Sequence, residues 1–181
     1  MASAKTVDLF GEDEGHEAVI KSILYKIHPT WKLKCVTINR RNQILKALIR
    51  QSEADILILA KDSNAEGVVK RRNQLSDLVH ESKKNRLVLC TPDPYIEKWL
   101  LLDSAAFKRV FGKGFDAPKA SETHGYYKDF LRRSIVNAGH TTKTGLDRAA
   151  DIIYAMDFDT IQDDSFQSFI TELKTFLQKE Q

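Results

Sequence analysis

The sequence predicts an α/β fold: a doubly wound parallel sheet of about four strands, with helices on both faces and a C-terminal helical extension. Three observations lead to this prediction. Residues 56–59 are four consecutive aliphatic residues, typical of a strand buried on both faces. Apolar strand-like runs alternate with segments of helical period up to about residue 92. After Pro94 the remaining pattern is mainly helical.

The apolar pattern assigns the elements in order. It predicts strands at residues 7–10, 33–38, 56–60 and 87–90, and helices at 19–27, 44–49 and 65–82. Strand-helix alternation of this kind predicts a parallel sheet, whose crossover connections are right-handed. The second part is predicted as a helix at 95–102, a loop region at 107–123, and helices at 126–137, 146–156 and 166–178.

Length and composition favour one domain with an appendage. The 181 residues are 42% hydrophobic and 29% charged, which suits a buried core under a charged surface. We divide them into an α/β core, residues 1–103, and a helical extension packed on it, residues 104–181. No run approaches the roughly 18 apolar residues of a membrane span, so we expect a cytoplasmic protein without membrane contact. Cys35 and Cys90 end apolar runs and are interpreted as buried thiols.

Acidic clusters follow three of the predicted strands. They are Glu12, Asp13 and Glu14 after the first, Asp62 and Asn64 after the third, and Asp93 and Glu97 after the fourth. Carboxyl ends of parallel strands meet at one sheet edge, where open α/β sheets bind ligands. Converging carboxylates repel one another unless a cation is present, so removing Asp62 is expected to maintain or raise metal-free stability. Alternatively, some of these acids only stabilise helix N-termini.

Residues 62–67, Asp-Ser-Asn-Ala-Glu-Gly, resemble the Asp-x-Asp-x-x-Gly signature of Toprim domains, the metal-binding module of topoisomerases, primases and OLD-type nucleases. Residues 12–17, Glu-Asp-Glu-Gly-His-Glu, are similar to the first Toprim glutamate and its helix. Residues 92–101 resemble the Pro-x-x-Glu-x-Trp-Leu-Leu segment of small Toprim-like proteins of the DUF4276, RloB and AbiLii type. The resemblance covers residues 6–103. Asn64 departs from it, since it replaces the second aspartate.

The resemblance implies a metal-dependent nuclease effector that acts with an ABC- or OLD-type ATPase in bacterial anti-phage defence and cleaves DNA or RNA. The implied cofactor is Mg²⁺ or Mn²⁺. Its candidate ligands are Glu12, Glu14, Asp62, Asn64, Asp93 and Glu97, with the choice between Glu12 and Glu14 open. The candidate catalytic residues are Glu12, Glu14, Asp62, Glu97 and Lys98. The alternative is a non-catalytic adaptor that binds the ATPase and nucleic acid, and oligomers would form through the ATPase.

Basic residues near the Asp62 loop are the candidate phosphate contacts. Lys70, Arg71 and Arg72 occupy the predicted third helix, and Lys128 follows two tyrosines. The net charge of +3 is small, so a solvated helix face is the alternative interpretation. His16 and His124 are candidate bases, although histidines in polar loops are usually exposed. Trp99 is predicted to lie in the core.

Overall fold

Four parallel strands form the centre of the protein in the computed structural model, which describes residues 5–37 and 42–178. They are β1 (Thr6–Gly11), β2 (Lys32–Thr37), β3 (Ile56–Ala60) and β4 (Leu87–Cys90), in the spatial order β2-β1-β3-β4. All three pairings are parallel. The predicted fold class is therefore confirmed. Residue 38, predicted to end the second strand, lies outside the described residues.

The central strand β3 divides the core into two clusters. Ile56 and Ile58 pack on one side of the sheet and Leu57 and Leu59 on the other, because side chains alternate along a strand. All five residues of β3 are fully buried, as expected of a strand covered on both faces. Helix α1 (Glu14–Ile27) covers the first face, whereas α2 (Asn42–Gln51) and α3 (Val68–Ser76) cover the second.

The C-terminal helices extend the cluster on the face covered by α1. They are α4 (Ile96–Trp99), α5 (Ser104–Phe111), α6 (Tyr126–Asn137), α7 (Ala149–Ala155) and α8 (Asp164–Gln178). Trp99 is fully buried there, as predicted, and its Nε1 donates a hydrogen bond to Ser165 Oγ at 2.9 Å. The division at residue 103 remains an interpretation, since strands and extension share this cluster. Within the described residues no helix has the length and apolar character needed to cross a membrane.

Several predicted helix boundaries differ from the structure. The helix expected over residues 65–82 is interrupted at Gly67, whose φ of 78° is incompatible with an α-helix; α3 ends at Ser76, and a 3₁₀ segment follows at Glu81–Arg86. The predicted loop at 107–123 overlaps α5, which Asp103 caps by accepting a hydrogen bond from the Ala106 N–H.

Two further helices are shorter than predicted. The segment 95–102 contains only the single turn α4. The segment 146–156 begins with a 3₁₀ turn, Leu146–Arg148, and continues as α7. Apolar spacing does not distinguish one helical turn from a longer helix, so these boundaries required the tertiary structure.

Gly145 allows the turn before α7 to approach α6 closely. Its φ is +87°, in the left-handed region that favours glycine, and a Cβ placed there would lie 2.7 Å from Leu131 Cγ. Gly139 also has a positive φ, +85°, but a Cβ there would meet no atom within 4 Å. Substitution of Gly139 would therefore cost only backbone strain, whereas substitution of Gly145 would add a steric clash.

We predict that Gly139→Ala lowers the free energy of unfolding by about 1–2 kcal/mol, the cost of a left-handed conformation for an L-residue. Gly145→Ala should cost a further 1–3 kcal/mol or so, because Leu131 must move to accommodate the methyl group. Urea unfolding of both variants measures the difference. Equal losses would show that the contact between Gly145 and Leu131 does not limit packing.

Candidate functional site

A cleft opens at the topological switch point of the sheet, between β1 and β3. β1 and β3 are neighbours, but β1 is followed by β2 on one side and β3 by β4 on the other. Ligands of open α/β sheets bind beyond the carboxyl ends of strands at such a switch point. Here the cleft has a volume of about 270 Å³, and its lining includes Glu12, His16, Asp62, Asn64, Glu97 and Lys128.

A histidine between two carboxylates lies at the floor of this cleft. His16 Nε2 lies 3.0 Å from Asp62 Oδ1, and His16 Nδ1 lies 2.9 Å from Asp13 Oδ1. His16 is 2% exposed and Asp62 8%. Because both ring nitrogens face carboxylate oxygens, each must donate a hydrogen bond, which requires the protonated imidazolium.

The neighbouring carboxylates also raise the pKa of His16, which favours the imidazolium form. Burial alone lowers the pKa of His16, but hydrogen bonds and charge interactions with Asp13 and Asp62 outweigh burial and raise it to about 10. The hydrogen bond from His16 in turn lowers the pKa of Asp13 to about 2. The site therefore contains a buried cation at neutral pH.

Asp62 thus has partners that its local sequence did not indicate. In addition to His16, the backbone N–H of Ile96 donates to Asp62 Oδ1 at 2.8 Å. Removing the Asp62 carboxylate would leave a buried imidazolium and a buried N–H without this acceptor, which destabilises a protein. The expectation that removal of Asp62 would maintain or raise metal-free stability does not allow for these contacts, and we now expect a loss.

Glu12, His16 and Asp62 could hold a metal ion. Each offers one ligand atom, and these atoms lie within 4.8 Å of one another. Glu12 follows β1 and Asp62 follows β3, so the pairing of adjacent strands brings them together. Both nitrogens of His16 are already hydrogen-bonded, which leaves Glu12 and Asp62 Oδ2 as the ready donors.

Asn64 adds an amide group to the cleft through an uncommon backbone conformation. Its φ is +50°, in the left-handed region where asparagine is tolerated better than most residues. Its N–H donates to Pro94 O at 3.1 Å, and its Nδ2 lies 3.5 Å from Asp62 O. Asn64 lines the cleft, where a side-chain amide oxygen can coordinate a hard cation.

Glu97 lies at the start of α4 and completes the acidic lining. Burial raises the pKa of its carboxyl group, and the negative charge of Asp62 raises it further. A carboxylic acid in a cleft whose pKa is raised by burial is typical of functional sites.

The structure does not bring Glu14, Asp93 or Lys98 to the cleft. Glu14 is exposed in the first turn of α1 and does not line it. Asp93 accepts a hydrogen bond from Ser63 Oγ at 2.6 Å and lines a separate depression. Lys98 lines the same depression, where its Nζ lies 2.8 Å from Asp163 Oδ2.

The basic residues of α3 are engaged in intramolecular contacts. Arg71 is 6% exposed; its Nε donates to Asp62 O at 2.9 Å, and its Nη2 forms an ion pair with Glu66 at 3.0 Å. Lys70 is exposed and also pairs with Glu66, at 3.2 Å. The expected phosphate contact by Arg71 would require breaking these bonds.

Arg72 instead covers the outer edge of the sheet. Its Nη1 donates to Leu89 O at 3.2 Å, and its Nη2 contacts Glu172 Oε1. Glu172 Oε2 accepts a hydrogen bond from the Leu89 N–H at 3.0 Å. The Leu89 N–H and C=O at the outer edge of β4 are therefore satisfied by a side-chain pair, which protects an edge strand from pairing with another chain.

Lys128 is the predicted phosphate contact that does line the cleft. It is exposed in the first part of α6, and it forms no ion pair with any other described residue. His124 also lines the cleft and stands edge-on to Tyr95, with ring centroids 5.9 Å apart. Asp13, three residues before His16, is recognisable from the sequence as a helix N-cap. Nothing in the sequence pattern indicates that His16 itself is buried.

We predict that His16 makes metal-free stability depend on pH. The folded-state pKa of His16, about 10, exceeds its ordinary value of 6.5, so its stabilising contribution is complete below pH 6.5 and is lost as pH rises towards 10. Urea unfolding in a chelator at about pH 6, 8 and 9.5 should show a falling difference in free energy between wild type and His16→Gln. A constant difference would show that His16 is not held as a cation.

Comparison with protein-family models, with curated proteins and with solved structures finds no significant match to this chain. What the protein does must therefore be inferred from its own residues.

Proposed function

We propose that the protein is a divalent-cation-dependent phosphodiesterase that cleaves nucleic acid. The supporting observation is the convergence of Glu12, Asp62 and Glu97 at the switch point of the sheet, with Lys128 at the same cleft. Carboxylates can hold a cation beside a phosphate, while a lysine neutralises the charge of the phosphate itself.

The available donors favour Mg²⁺ or Mn²⁺. Glu12, Asp62 and the amide of Asn64 all present oxygen atoms, the ligands that hard cations prefer. When bound, such an ion activates a water molecule and stabilises the leaving oxygen of a phosphodiester. Magnesium needs only one or two carboxylates in addition to waters and substrate phosphates, so Asn64 in place of an aspartate is compatible with binding.

The other residues have distinct roles in this proposal. His16 and the Ile96 N–H both bind Asp62 Oδ1, which fixes the orientation of the carboxylate and leaves Oδ2 to bind the ion. Glu97, whose pKa is raised by burial, accepts or delivers a proton during cleavage. Lys128 contacts the phosphate backbone.

A second candidate is a non-catalytic adaptor that binds nucleic acid and a partner ATPase. Two observations favour it: His16 balances the charge of Asp62 without any metal, and Asn64 contributes no negative charge. For both candidates, cooperation with an ABC- or OLD-type ATPase and a place in anti-phage defence are supported by the Toprim resemblance alone. Metal binding separates the two candidates, because an adaptor does not require it.

We predict that Glu12→Gln lowers the rate of cleavage of a labelled single-stranded oligonucleotide in Mn²⁺ by at least about 100-fold, the order seen when one group that stabilises transition-state charge is removed. Glu14→Gln is the matched control, because Glu14 is exposed and does not line the cleft. It should retain the wild-type rate. Equal activity of both variants would remove Glu12 from the site.

We predict that Asn64→Asp tightens Mn²⁺ binding about tenfold, since a gain of about 1.4 kcal/mol is sufficient for this change and a unit charge about 4 Å from a cation contributes roughly 4 kcal/mol at an effective dielectric constant of about 20. Aspartate also tolerates the positive φ of this position. Isothermal titration calorimetry measures the affinity. An unchanged affinity would place the ion away from Asn64, and failure of the wild type to bind Mn²⁺ would favour the adaptor.

A further inference from the structure

A second and larger groove lies on the helical extension. It has a volume of about 920 Å³ and is bounded by α5, by α6 and by the segment 112–119 between them. Its volume is at the upper end of the roughly 300–1,000 Å³ of small-molecule sites. The proposed catalytic residues play no part in its lining.

The groove is strongly cationic. Its charged lining consists of Lys108, Lys113, Lys119 and Arg133, against the single carboxylate of Asp116. All four cations are exposed, and none forms an ion pair with a described residue. By contrast, the basic residues of α3 are paired with Glu66 or Glu172. The groove therefore presents four unpaired cations against one carboxylate, an excess of positive charge that suits a polyanion.

Aromatic rings are interleaved with these cations. Phe115, Tyr126 and Phe130 line the groove, and each is partly exposed. Ser104 fixes the position of Phe115, because its Oγ donates to Phe115 O at 2.8 Å and lies 3.2 Å from Phe115 N. The ring of Phe115 packs edge-on against Phe130, with centroids 5.8 Å apart. A positively charged groove with aromatic surfaces is the arrangement that binds unpaired bases and their backbone.

The groove and the candidate metal cleft lie on different sides of the first turn of α6. Tyr126 lines the groove, whereas its neighbours Gly125, Tyr127 and Lys128 line the cleft. The first turn of α6 is thus a wall shared by both. A strand bound along Tyr126 would reach Lys128 and the acidic floor by crossing the start of α6.

We infer that this groove binds single-stranded nucleic acid and leads it to the cleft. The inference deepens the proposed function by naming its substrate class, and rests on it for the direction of the strand. Unpaired strands fit the groove because their bases can stack on Tyr126 and Phe130, whereas the bases of a duplex already stack on one another.

The experiment measures binding separately from cleavage. Fluorescence anisotropy of a labelled single-stranded DNA or RNA oligonucleotide is recorded in EDTA with the full chain. The double variant Lys113→Glu/Lys119→Glu should bind more weakly, and the slope of log affinity against log salt should become shallower by about 1.4, since each phosphate that a lysine neutralises contributes about 0.7. The matched control is Lys32→Glu/Lys34→Glu, which makes the same charge change at exposed positions of the edge strand β2.

A second pair of variants tests stacking. Tyr126→Ala should weaken binding by roughly 5- to 150-fold, the range of one base–aromatic stack, and Tyr126→Phe should restore it because the ring remains. Neither variant should alter binding of heparin, which is a polyanion without bases. The DNA and RNA arms identify which strand binds more tightly, and an unlabelled duplex should compete poorly.

The inference is overturned if Lys113→Glu/Lys119→Glu binds the DNA and RNA oligonucleotides as the wild type does, or if Lys32→Glu/Lys34→Glu loses equal affinity. It is also overturned if a duplex competes as well as a single strand. Loss of heparin binding in Tyr126→Ala would equally contradict a role in stacking. Binding is measured in EDTA, which prevents metal-dependent cleavage, so the two proposals can fail separately. If the groove variant loses binding but the wild type does not cleave in Mn²⁺, this inference stands and the nuclease is rejected. If the wild type cleaves in Mn²⁺ but the groove variant binds normally, the nuclease stands and this inference is rejected.

Discussion

The buried ion pair between His16 and Asp62 is the interaction on which the site depends. It joins the start of α1 to the end of β3, and the bond from the Ile96 N–H to Asp62 adds the start of α4. A buried charge is tolerated only when it is paired and hydrogen-bonded. Here Asp13 provides the second partner of His16. Three chain segments are therefore held in one geometry through the Asp62 carboxylate, and the cleft takes its shape from them.

This arrangement also determines where charge is available for a ligand. Arg71 and Arg72 are committed to internal contacts, which support the Asp62 loop and cover the edge of β4. Cations without an ion pair to a described residue instead line the cleft, at Lys128, and the groove along α6. An acidic floor beside a basic approach fits a protein that holds a cation at one end of a bound nucleic-acid strand. The floor and the groove can be tested independently, since they share only the first turn of α6.

The sequence was sufficient for the fold and for part of the site. Strand β3 was evident because an aliphatic run buried on both faces has few alternatives, and parallel pairing then places Glu12 near Asp62. The role of His16 could not be predicted, because its partner Asp62 is 46 residues away and a histidine in a polar segment is usually exposed. Arg72 is a similar case, since its partner Glu172 lies 100 residues further along the chain. Such pairings are decided by tertiary packing, whereas the break at Gly67 had a local signal.

The most direct measurement is the anomalous scattering of Mn²⁺ in crystals of the wild-type protein soaked with the ion. A peak is expected in the cleft, within roughly 2.0–2.6 Å of carboxylate oxygens of Glu12 and Asp62, the range of distances for hard cations and oxygen ligands. The His16 ring should remain between Asp13 and Asp62 in the same crystals. A cleft without a peak at saturating Mn²⁺, or a peak only at the separate depression of Asp93 and Asp163, would contradict the proposed metal centre.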